Sequence, residues 1–256
     1  MSGWYAVFRK EIANFFVSPI AYAVIACFLL ITGFFFWANV SLMSLVSLQA
    51  ANNPMISQRI NMTDIIIRPL AQNMSIILLF LMPLLTMRLF SEEKKSGSIE
   101  LLMTYPITDT GVVCGKFLSA VCVLVVMLGS SLVFPLLLLT VGEPDLGALA
   151  GGYIGILLMG VSFVALGMFL STLSENQIIS AAISFGAALL FWVMSWITSF
   201  AGETTGYVIR QLSILEHIES FQKGILSLSD VSFFVFFAAF FLFLTTRSLE
   251  TYRWRG

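Results

Sequence analysis

Residues Gly151–Leu173 read GGYIGILLMGVSFVALGMFLSTL, an apolar run that contains no Asp, Glu, Lys, Arg or His. A helix needs about 20 apolar residues to cross the roughly 30 Å of hydrocarbon in a bilayer, and this run is long enough. In the whole chain 59% of residues are hydrophobic and 11% are charged, against about 25% charged in an ordinary soluble domain. Too little charge is available to cover a water-facing surface, so the sequence predicts a membrane protein.

Further runs of this kind predict an all-α integral membrane protein with one transmembrane domain over residues 1–256. The six predicted spans are residues 19–42, 69–89, 117–141, 151–173, 178–199 and 231–246. The first span is not read as a cleaved signal sequence, because its Ala21-Tyr22-Ala23 triplet precedes the apolar run instead of following it. The net charge of −1, without a basic stripe, argues against a nucleic-acid partner.

The distribution of Lys and Arg sets the predicted orientation. With both termini in the cytoplasm, nine basic residues lie inside and four lie outside, as the positive-inside rule requires. The inside set is Arg9, Lys10, Arg88, Lys94, Lys95, Lys116, Arg247, Arg253 and Arg255, and the outside set is Arg59, Arg68, Arg210 and Lys223. Residues 90–116 then form the long cytoplasmic loop, and residues 200–230 form the last outer loop.

The cores of the predicted spans hold no Asp, Glu, Lys, Arg or His. Ion-coupled carriers usually keep ionisable groups at membrane depth, where each such group costs a few kcal/mol. The sequence therefore predicts that the energy for any transport enters from a partner on the cytoplasmic side. The loop 90–116 is the expected contact, since Glu92, Glu93, Lys94 and Lys95 crowd together in it.

The same loop is predicted to hold a short helix. Residues Gly97–Met103 combine apolar and polar sides, and Pro106 ends the segment. Thr108 or Asp109 can cap the helix that follows. A short helix fixed crosswise between two spans would act as a rigid lever that passes the motion of a bound partner into both of them.

Residues 1–17 are predicted to form an amphipathic helix. Trp4, Phe8, Ile12 and Phe15 fall on one side of it, which indicates a helix lying in the headgroup plane. The residues Arg9, Lys10 and Asn14 fall elsewhere on the wheel. This helix either anchors the chain at the surface or also helps to seat a cytoplasmic partner.

The outer loop before the last span carries a second predicted amphipathic helix. Its apolar residues are Ile209, Leu212, Leu215, Ile218, Phe221 and Ile225, and its polar residues are Arg210, Glu216, Glu219 and Lys223. This helix either anchors the loop or covers the outer exit of a translocation path. His217, the only histidine, could pair with Glu216 or Glu219.

Small residues inside the spans predict close helix packing, because lipid offers no hydrophobic drive between helices. Gly151 and Gly155 form a GxxxG motif that Gly160 and Gly167 extend, and Ala182 and Gly186 form a similar face in the fifth span. These small residues could mediate packing within the chain or contact with a second subunit, and the sequence leaves both interpretations open. Pro83 and Pro135 lie inside spans and are expected to kink them.

No motif in the chain indicates an enzyme. The segment Gly111–Phe117 is one residue shorter than a phosphate-binding loop, and Phe117 stands where such loops need a hydroxyl group. Cys27, Cys114 and Cys122 form neither a disulfide pattern nor a metal site. The chain is therefore expected to bind no metal and to catalyse no reaction itself.

Three stretches resemble the permease subunits of type-2 ABC exporters. They are FRKEIANFFVSPIAYAVIACFLLITGFFF near the start, FSEEKKSGSIELLMTYPITDTGVVCGKF in the cytoplasmic loop and LSILEHIESFQKGILSLSDVSFF before the last span. Within that family the chain is most similar to the branch linked to gliding motility and to maturation of the copper site of nitrous oxide reductase. The resemblance covers nearly the whole chain in order, and the cytoplasmic loop is its most specific part.

The resemblance implies an exporter in a bacterial inner membrane, with a second permease subunit that is either a copy of this chain or a sister chain. ATP and Mg²⁺ would be bound by separate ATPase subunits. The expected ATPase-coupling residues are Glu92, Glu93, Gly97, Glu100, Leu101, Leu102, Pro106, Gly115 and Lys116. The expected interfacial-helix residues are Trp4, Phe8, Arg9, Lys10, Glu11 and Ile12, and the expected outer-gate residues are His217, Phe221, Lys223 and Gly224. Ser98 departs from the family pattern, where Thr is common.

Two other functions stay open at this point. One is a membrane scaffold of an envelope or motility machine that carries no cargo of its own. The other is an ion-coupled secondary carrier, which the span cores disfavour because they lack ionisable side chains.

Overall fold

The computed structural model describes residues 3–51, 61–100, 107–142, 144–197 and 203–255, and in these ranges the chain is helical without any β-strand. Six helical stretches in the described ranges are long and apolar enough to cross a membrane: Pro19–Gln49, Thr63–Lys95, Asp109–Thr140, Leu146–Ser171, Gln177–Ile197 and Leu228–Tyr252. The predicted all-α integral membrane fold is confirmed.

The helices are numbered in chain order. The first four are α1 (Gly3–Val17), α2 (Pro19–Ala51), α3 (Arg68–Thr86) and α4 (Arg88–Lys95), and a π-helical segment, Thr63–Ile67, leads into α3. The next four are α5 (Asp109–Ser131), α6 (Val133–Val141), α7 (Leu146–Ser171) and α8 (Gln177–Ile197). The last three are α9 (Glu203–Leu212), α10 (Ile214–Gln222) and α11 (Leu228–Arg255).

Helix α7 lies at the centre of the bundle, and α3, α5, α8, α10 and α11 all pack against it. Its glycines allow this close approach. A Cβ atom at Gly160 would lie 2.7 Å from the Leu124 side chain of α5, and one at Gly155 would lie 2.5 Å from the Cβ of Phe221 in α10. A Cβ at Gly151 would lie 2.8 Å from the Phe221 carbonyl oxygen. The GxxxG motif is therefore used for packing within the chain.

The small residues of α8 behave differently. A Cβ atom at Gly186 would meet no atom within 4 Å, and Ala182 is exposed. The subunit-contact interpretation for this face therefore stays a prediction.

The third span is interrupted at Leu132, between α5 and α6. Pro135 causes the break, because it has no N–H to donate to the carbonyl of Ser131 four residues earlier. The Tyr153 hydroxyl of α7 donates a hydrogen bond to that carbonyl instead, at 3.1 Å. The span is thus distorted at Pro135 as predicted, and the freed carbonyl is satisfied by a neighbouring helix. At Pro83, by contrast, α3 continues as a helix to Thr86.

Several helices extend beyond the predicted spans. The second span continues through α4 to Lys95, and α5 begins at Asp109, so helices take up both ends of the predicted loop 90–116. Thr108 caps α5, since its Oγ1 accepts a hydrogen bond from the Gly111 amide at 3.2 Å. Hydropathy locates the apolar core of a span, whereas capping locates the end of its helix.

The predicted single helix of the loop 200–230 is wrong, because two helices, α9 and α10, replace it with a break at Ser213. Helix α10 ends at Gln222 in a Schellman motif: the Gly224 amide donates to the Phe221 carbonyl at 2.9 Å, and the Ile225 amide donates to the Ser220 carbonyl at 3.0 Å. Gly224 has a φ of +78°, which favours glycine. The two helices together are called the cap below.

Candidate functional site

Helix α1 lies directly on the first turns of α5. A Cβ atom at Gly115 would lie 2.8 Å from the carbonyl oxygen of Trp4 and 2.9 Å from the Cβ of Val7. Only glycine fits this position without moving α1. The predicted coupling residue Gly115 is thus where the predicted interfacial helix meets the third span.

Lys116, the next residue, is buried, with 1% of its side chain exposed. Its ammonium nitrogen lies 2.8 Å from Oε1 of Glu11 in α1 and 2.9 Å from Oε1 of Glu93 in α4. Lys10 approaches the same oxygen of Glu93 at 3.4 Å. These four side chains, called the Lys116 cluster, join α1, α4 and α5.

The cluster restrains how the three helices sit on one another. A buried ion pair adds little net stability, because desolvating both charges offsets their attraction. Removing one partner, however, leaves an uncompensated buried charge and costs about 3–5 kcal/mol. The three helices therefore resist sliding past one another at this point.

Helix α4 is also held on its other sides. The Arg88 guanidinium donates a hydrogen bond to Ser18 Oγ at 2.9 Å and lies 4.7 Å from the centre of the Phe15 ring. The Lys94 ammonium donates to the carbonyl of Thr172, at the end of α7, and lies 4.7 Å from the Tyr252 ring of α11. A displacement of α4 would therefore reach α1, α7 and α11.

A cleft of about 510 Å³ opens beside the Lys116 cluster. The junction of α1 and α2, the outer face of α4 and the start of α8 form its walls. Its polar lining includes Arg88, Glu92 and Ser96. One side of α4 therefore faces an open cleft.

A turn at Ser96 and Gly97 separates α4 from the start of the predicted short helix. Gly97 has a φ of +70°, and residues Ser98–Glu100 are helical again, with Ile99 buried and Glu100 exposed. Glu92 is exposed at the end of α4. The predicted coupling residues Leu101, Leu102 and Pro106 lie outside the described residues.

The predicted face of α1 is only partly right. Its buried side is Val7, Glu11 and Phe15, whereas Trp4 is 42% exposed. Phe8 and Ile12 are half-buried, and Arg9 and Lys10 are exposed. The side that faces the protein contains a carboxylate, because Lys116 is there to pair with Glu11. An apolar pattern alone does not reveal this.

At the opposite end of the bundle, His217 is paired differently from the sequence prediction. Its Nδ1 lies 2.7 Å from Oδ1 of Asp230 in α11, so the predicted pairing with Glu216 or Glu219 is wrong. Its Nε2 lies 3.2 Å from the carbonyl oxygen of Gln211, and its ring stacks on Phe233 at 4.0 Å. His217, in α10, therefore contacts both α9 and α11.

The other predicted gate residues divide into docked and exposed ones. Phe221 is fully buried against Gly151 and Gly155 of α7, and a Cβ at Gly224 would lie 3.1 Å from the Cα of Ala148. Lys223 pairs with Glu219 on the exposed side of α10. The cap is thus seated on the central helix by a phenylalanine and a glycine.

The sequence model of one protein family, the ABC-2 family transporter proteins, matches residues 5–248, which is nearly the whole chain. The chain belongs to this family. It is accordingly a multi-pass membrane permease subunit of an ABC transporter, a class that works with ABC ATPases. None of the curated proteins compared with the chain matches it.

In this ABC-2 transporter chain, three important residues escaped the sequence prediction of the site. Arg88 was predicted only as one of the cytoplasmic basic residues, and Ser18 and Asp230 were only part of the stretches that resemble exporter permeases. An acidic residue in the first turn of a helix favours that end electrostatically, which gives Asp230 a local signal. Arg88 and Ser18 have no such signal, because they meet only after the chain folds.

Metal binding has no support in the described part of the ABC-2 chain. No group of three or more His, Cys, Asp or Glu side chains there could hold an ion. The arrangement at the termini end is instead one of restrained helices around a cleft.

Proposed function

We propose that this ABC-2 permease subunit is driven by a separate ATPase, which docks on α4 and the segment that follows it, and that the chain exports its substrate. The single observation that carries the proposal is the Lys116 cluster. One buried ammonium holds the predicted coupling residue Glu93 and the interfacial-helix residue Glu11.

The cluster supports a path for force. A partner that moves the segment after Gly97 pulls on the end of α4, where Glu93 is bound to Lys116. Because separating a buried charge from its partner is costly, α1 and the start of α5 follow α4. A push on a small surface is thereby passed to the second and third spans together.

The charge distribution supports a cytoplasmic location for the termini end. The described basic residues there are Arg9, Lys10, Arg88, Lys94, Lys95, Lys116, Arg247, Arg253 and Arg255, while Arg68, Arg210 and Lys223 lie at the cap end. This excess agrees with the positive-inside rule. The resemblance to bacterial exporters supports the inner membrane, and the three stretches quoted above support the gliding-motility and copper-site maturation branch.

A second subunit and an outer gate complete the proposal. Ala182 of α8 is exposed, and a Cβ atom at Gly186 would meet no atom within 4 Å, so these small residues offer a face on which another permease subunit can pack closely. In this proposal the cap, which lies at the end away from the termini, closes the exit of a path between two such subunits. Its docking through Phe221 on α7 supports a gate that moves as a unit.

The test uses a charge reversal on the exposed coupling segment. Glu100→Arg should abolish co-purification of the ATPase with the chain and its stimulated ATP turnover, because the mating surface then carries the wrong charge. Glu216→Arg, an exposed carboxylate at the cap end, is the matched control and should change neither. Unchanged association and turnover in Glu100→Arg would reject docking at this segment.

A further inference from the structure

We propose that the cleft beside the Lys116 cluster binds the headgroup of a phospholipid that carries a primary ammonium group, as phosphatidylethanolamine does. The phosphate binds to Arg88, at the membrane side of the cleft, and the ammonium group binds to Glu92, one helical turn further out. This site goes beyond the proposed function, because it involves no ATPase and only residues of this chain.

The cleft lies at the level where membrane-spanning helices begin and end. Ser18, which lines it, directly precedes the start of α2 at Pro19, and Gln177 is the first residue of α8. Arg88 lies at the end of the predicted second span, where α4 begins. Lipid headgroups occupy this level, just outside the hydrocarbon core of a bilayer. A headgroup can therefore enter the cleft from the side while its chains stay in the membrane.

Large apolar side chains are exposed around the membrane side of the cleft. Val17 is 84% exposed and Ile20 is 38% exposed, and both line the cleft. Ile178, which follows Gln177, is 77% exposed. Removing apolar surface from water is favourable, so acyl chains packed against these side chains stabilise a bound lipid.

Arg88 supplies a cation without an anionic partner in the described part of the chain. Its side-chain hydrogen bond there goes to Ser18 Oγ, at 2.9 Å, and its guanidinium lies 4.7 Å from the centre of the Phe15 ring. None of the ion pairs between described residues includes it. A guanidinium has five N–H donors and suits the bidentate recognition of phosphate. The side-chain amides of Asn14 and Gln177, which also line the cleft, can donate to the other phosphate oxygens.

The cytoplasmic side of the cleft offers a carboxylate. Glu92 lies four residues after Arg88 on α4 and lines the same cleft, about 6 Å further along the helix axis and away from the membrane. Its side chain is exposed and joins none of the ion pairs between described residues. Glu11 and Glu93 already share Lys116, so Glu92 is the carboxylate left to receive an ammonium group.

The order of the two charges selects the headgroup. In phosphatidylethanolamine the phosphate lies next to the glycerol and the ammonium lies at the outer end, so both groups meet opposite charges in the cleft. Phosphatidylglycerol brings no cation to Glu92, and the quaternary ammonium of phosphatidylcholine has no N–H to donate to it. Hydrogen bonds between two charged groups are about twice as strong as neutral ones. The cleft volume of about 510 Å³ lies within the usual range of ligand sites.

The test measures lipid binding to the delipidated chain in detergent by native mass spectrometry. Phosphatidylethanolamine, phosphatidylcholine and phosphatidylglycerol with identical acyl chains are titrated separately. Wild type should bind phosphatidylethanolamine on the order of tenfold more tightly than either of the other lipids, because only this headgroup satisfies both charges. Free phosphoethanolamine is titrated in parallel and should bind more weakly, because it lacks the chains that contact the apolar side.

Two variants separate the two ends of the site. Arg88→Gln should weaken binding of phosphatidylethanolamine on the order of tenfold. Arg247→Gln, which changes an exposed arginine at the same end of the bundle, is the control and should bind as wild type does. Glu92→Lys should reverse the preference, so that phosphatidylglycerol binds more tightly than phosphatidylethanolamine. Glu92 is exposed, so this second variant tests the site even if Arg88→Gln disturbs the contacts to Ser18 and Phe15.

Four results would overturn the proposal. The first is equal affinity of wild type for the three lipids, and the second is an unchanged lipid preference in Glu92→Lys. The third is free phosphoethanolamine binding as tightly as the lipid, which would assign the cleft to a soluble ligand. The fourth is loss of ATPase co-purification in Arg88→Gln with lipid binding unchanged, which would assign the cleft to the ATPase.

The lipid titration and the docking test are independent. The titration contains no ATPase, so unchanged ATPase association in Glu100→Arg leaves the lipid site standing. Equal binding of the three lipids, in turn, leaves docking on the segment after α4 standing.

Discussion

Lys116 shows how far the sequence predicts a site at the level of single residues. The sequence assigned Lys116 and Glu93 to one set and Glu11 to another, and each residue is placed at the predicted end of the bundle. Their pairing could not be predicted, because Glu11 and Lys116 are 105 positions apart and a charge pattern does not encode distant contacts. The same limit applies to His217: the predicted partners, Glu216 and Glu219, lie in its own helix, whereas its actual partner, Asp230, lies in α11.

The Lys116 cluster makes a prediction about stability. Lys116→Met should lower the free energy of unfolding in detergent by about 3–5 kcal/mol, because Glu11 and Glu93 lose their buried counter-charge. The triple variant Lys116→Met, Glu11→Gln, Glu93→Gln should regain much of this loss. Lys95→Met, an exposed lysine at the same end, is the control. Equal effects of Lys116→Met and Lys95→Met would contradict a restraining role for the cluster.

Gly115 gives a second prediction at this scale. Gly115→Ala places a Cβ against the Trp4 carbonyl oxygen and should destabilise the docking of α1 by about 1–3 kcal/mol. Gly129→Ala, in the same helix, meets no atom within 4 Å and should stay within about 1 kcal/mol of wild type. The rate of proteolytic cleavage within α1 is measured for both variants, and it should be faster in Gly115→Ala. Similar cleavage rates for both variants would show that α1 is not held at Gly115.

At the scale of elements, the apolar cores of all six spans were predicted, as was the start of α2 at Pro19, but the second, third and sixth spans extend beyond their predicted ends. Hydropathy identifies the residues that contact lipid, so a span predicted from it stops at the first charged residues. Helices α4 and α5, however, continue through charged residues. The break in the cap at Ser213 was also missed, because the apolar periodicity runs across it. Pro135 and Thr108 were predicted correctly, since each acts through its own backbone or side chain on a neighbour in sequence.

The seating of the cap gives a prediction for α7 and α10. Gly155→Ala would place its Cβ 2.5 Å from that of Phe221, so α10 should lift and its amides should exchange faster. Gly152→Ala, in the same helix, meets the Ala71 Cβ at 3.7 Å, an ordinary contact, and should behave as wild type. The measurement is the hydrogen-exchange rate of the amides of residues 214–222 in the two variants. Equal protection of α10 in the two variants would show that Gly155 does not seat the cap.

For the whole molecule, the resemblance of three stretches to exporter permeases is confirmed at the level of the ABC-2 family. The two ends of the bundle are tied in different ways: the termini end by a buried ion cluster, and the cap end by a glycine face and one histidine. In the proposed mechanism the termini end receives the force from the ATPase and the cap end responds, and the central helix α7 joins the two ends. The proposed stroke therefore begins at α4 and ends at the cap.

The decisive measurement is the ATP turnover of the ATPase–permease complex in lipid vesicles, with wild-type chain and with Lys116→Met. Wild type should stimulate turnover, and Lys116→Met should still bind the ATPase but no longer stimulate it, because the force on α4 no longer reaches α1 and α5. Full stimulation by Lys116→Met in an intact complex would contradict transmission through the cluster. Transport by the chain alone, driven by an ion gradient, would contradict the proposed function itself.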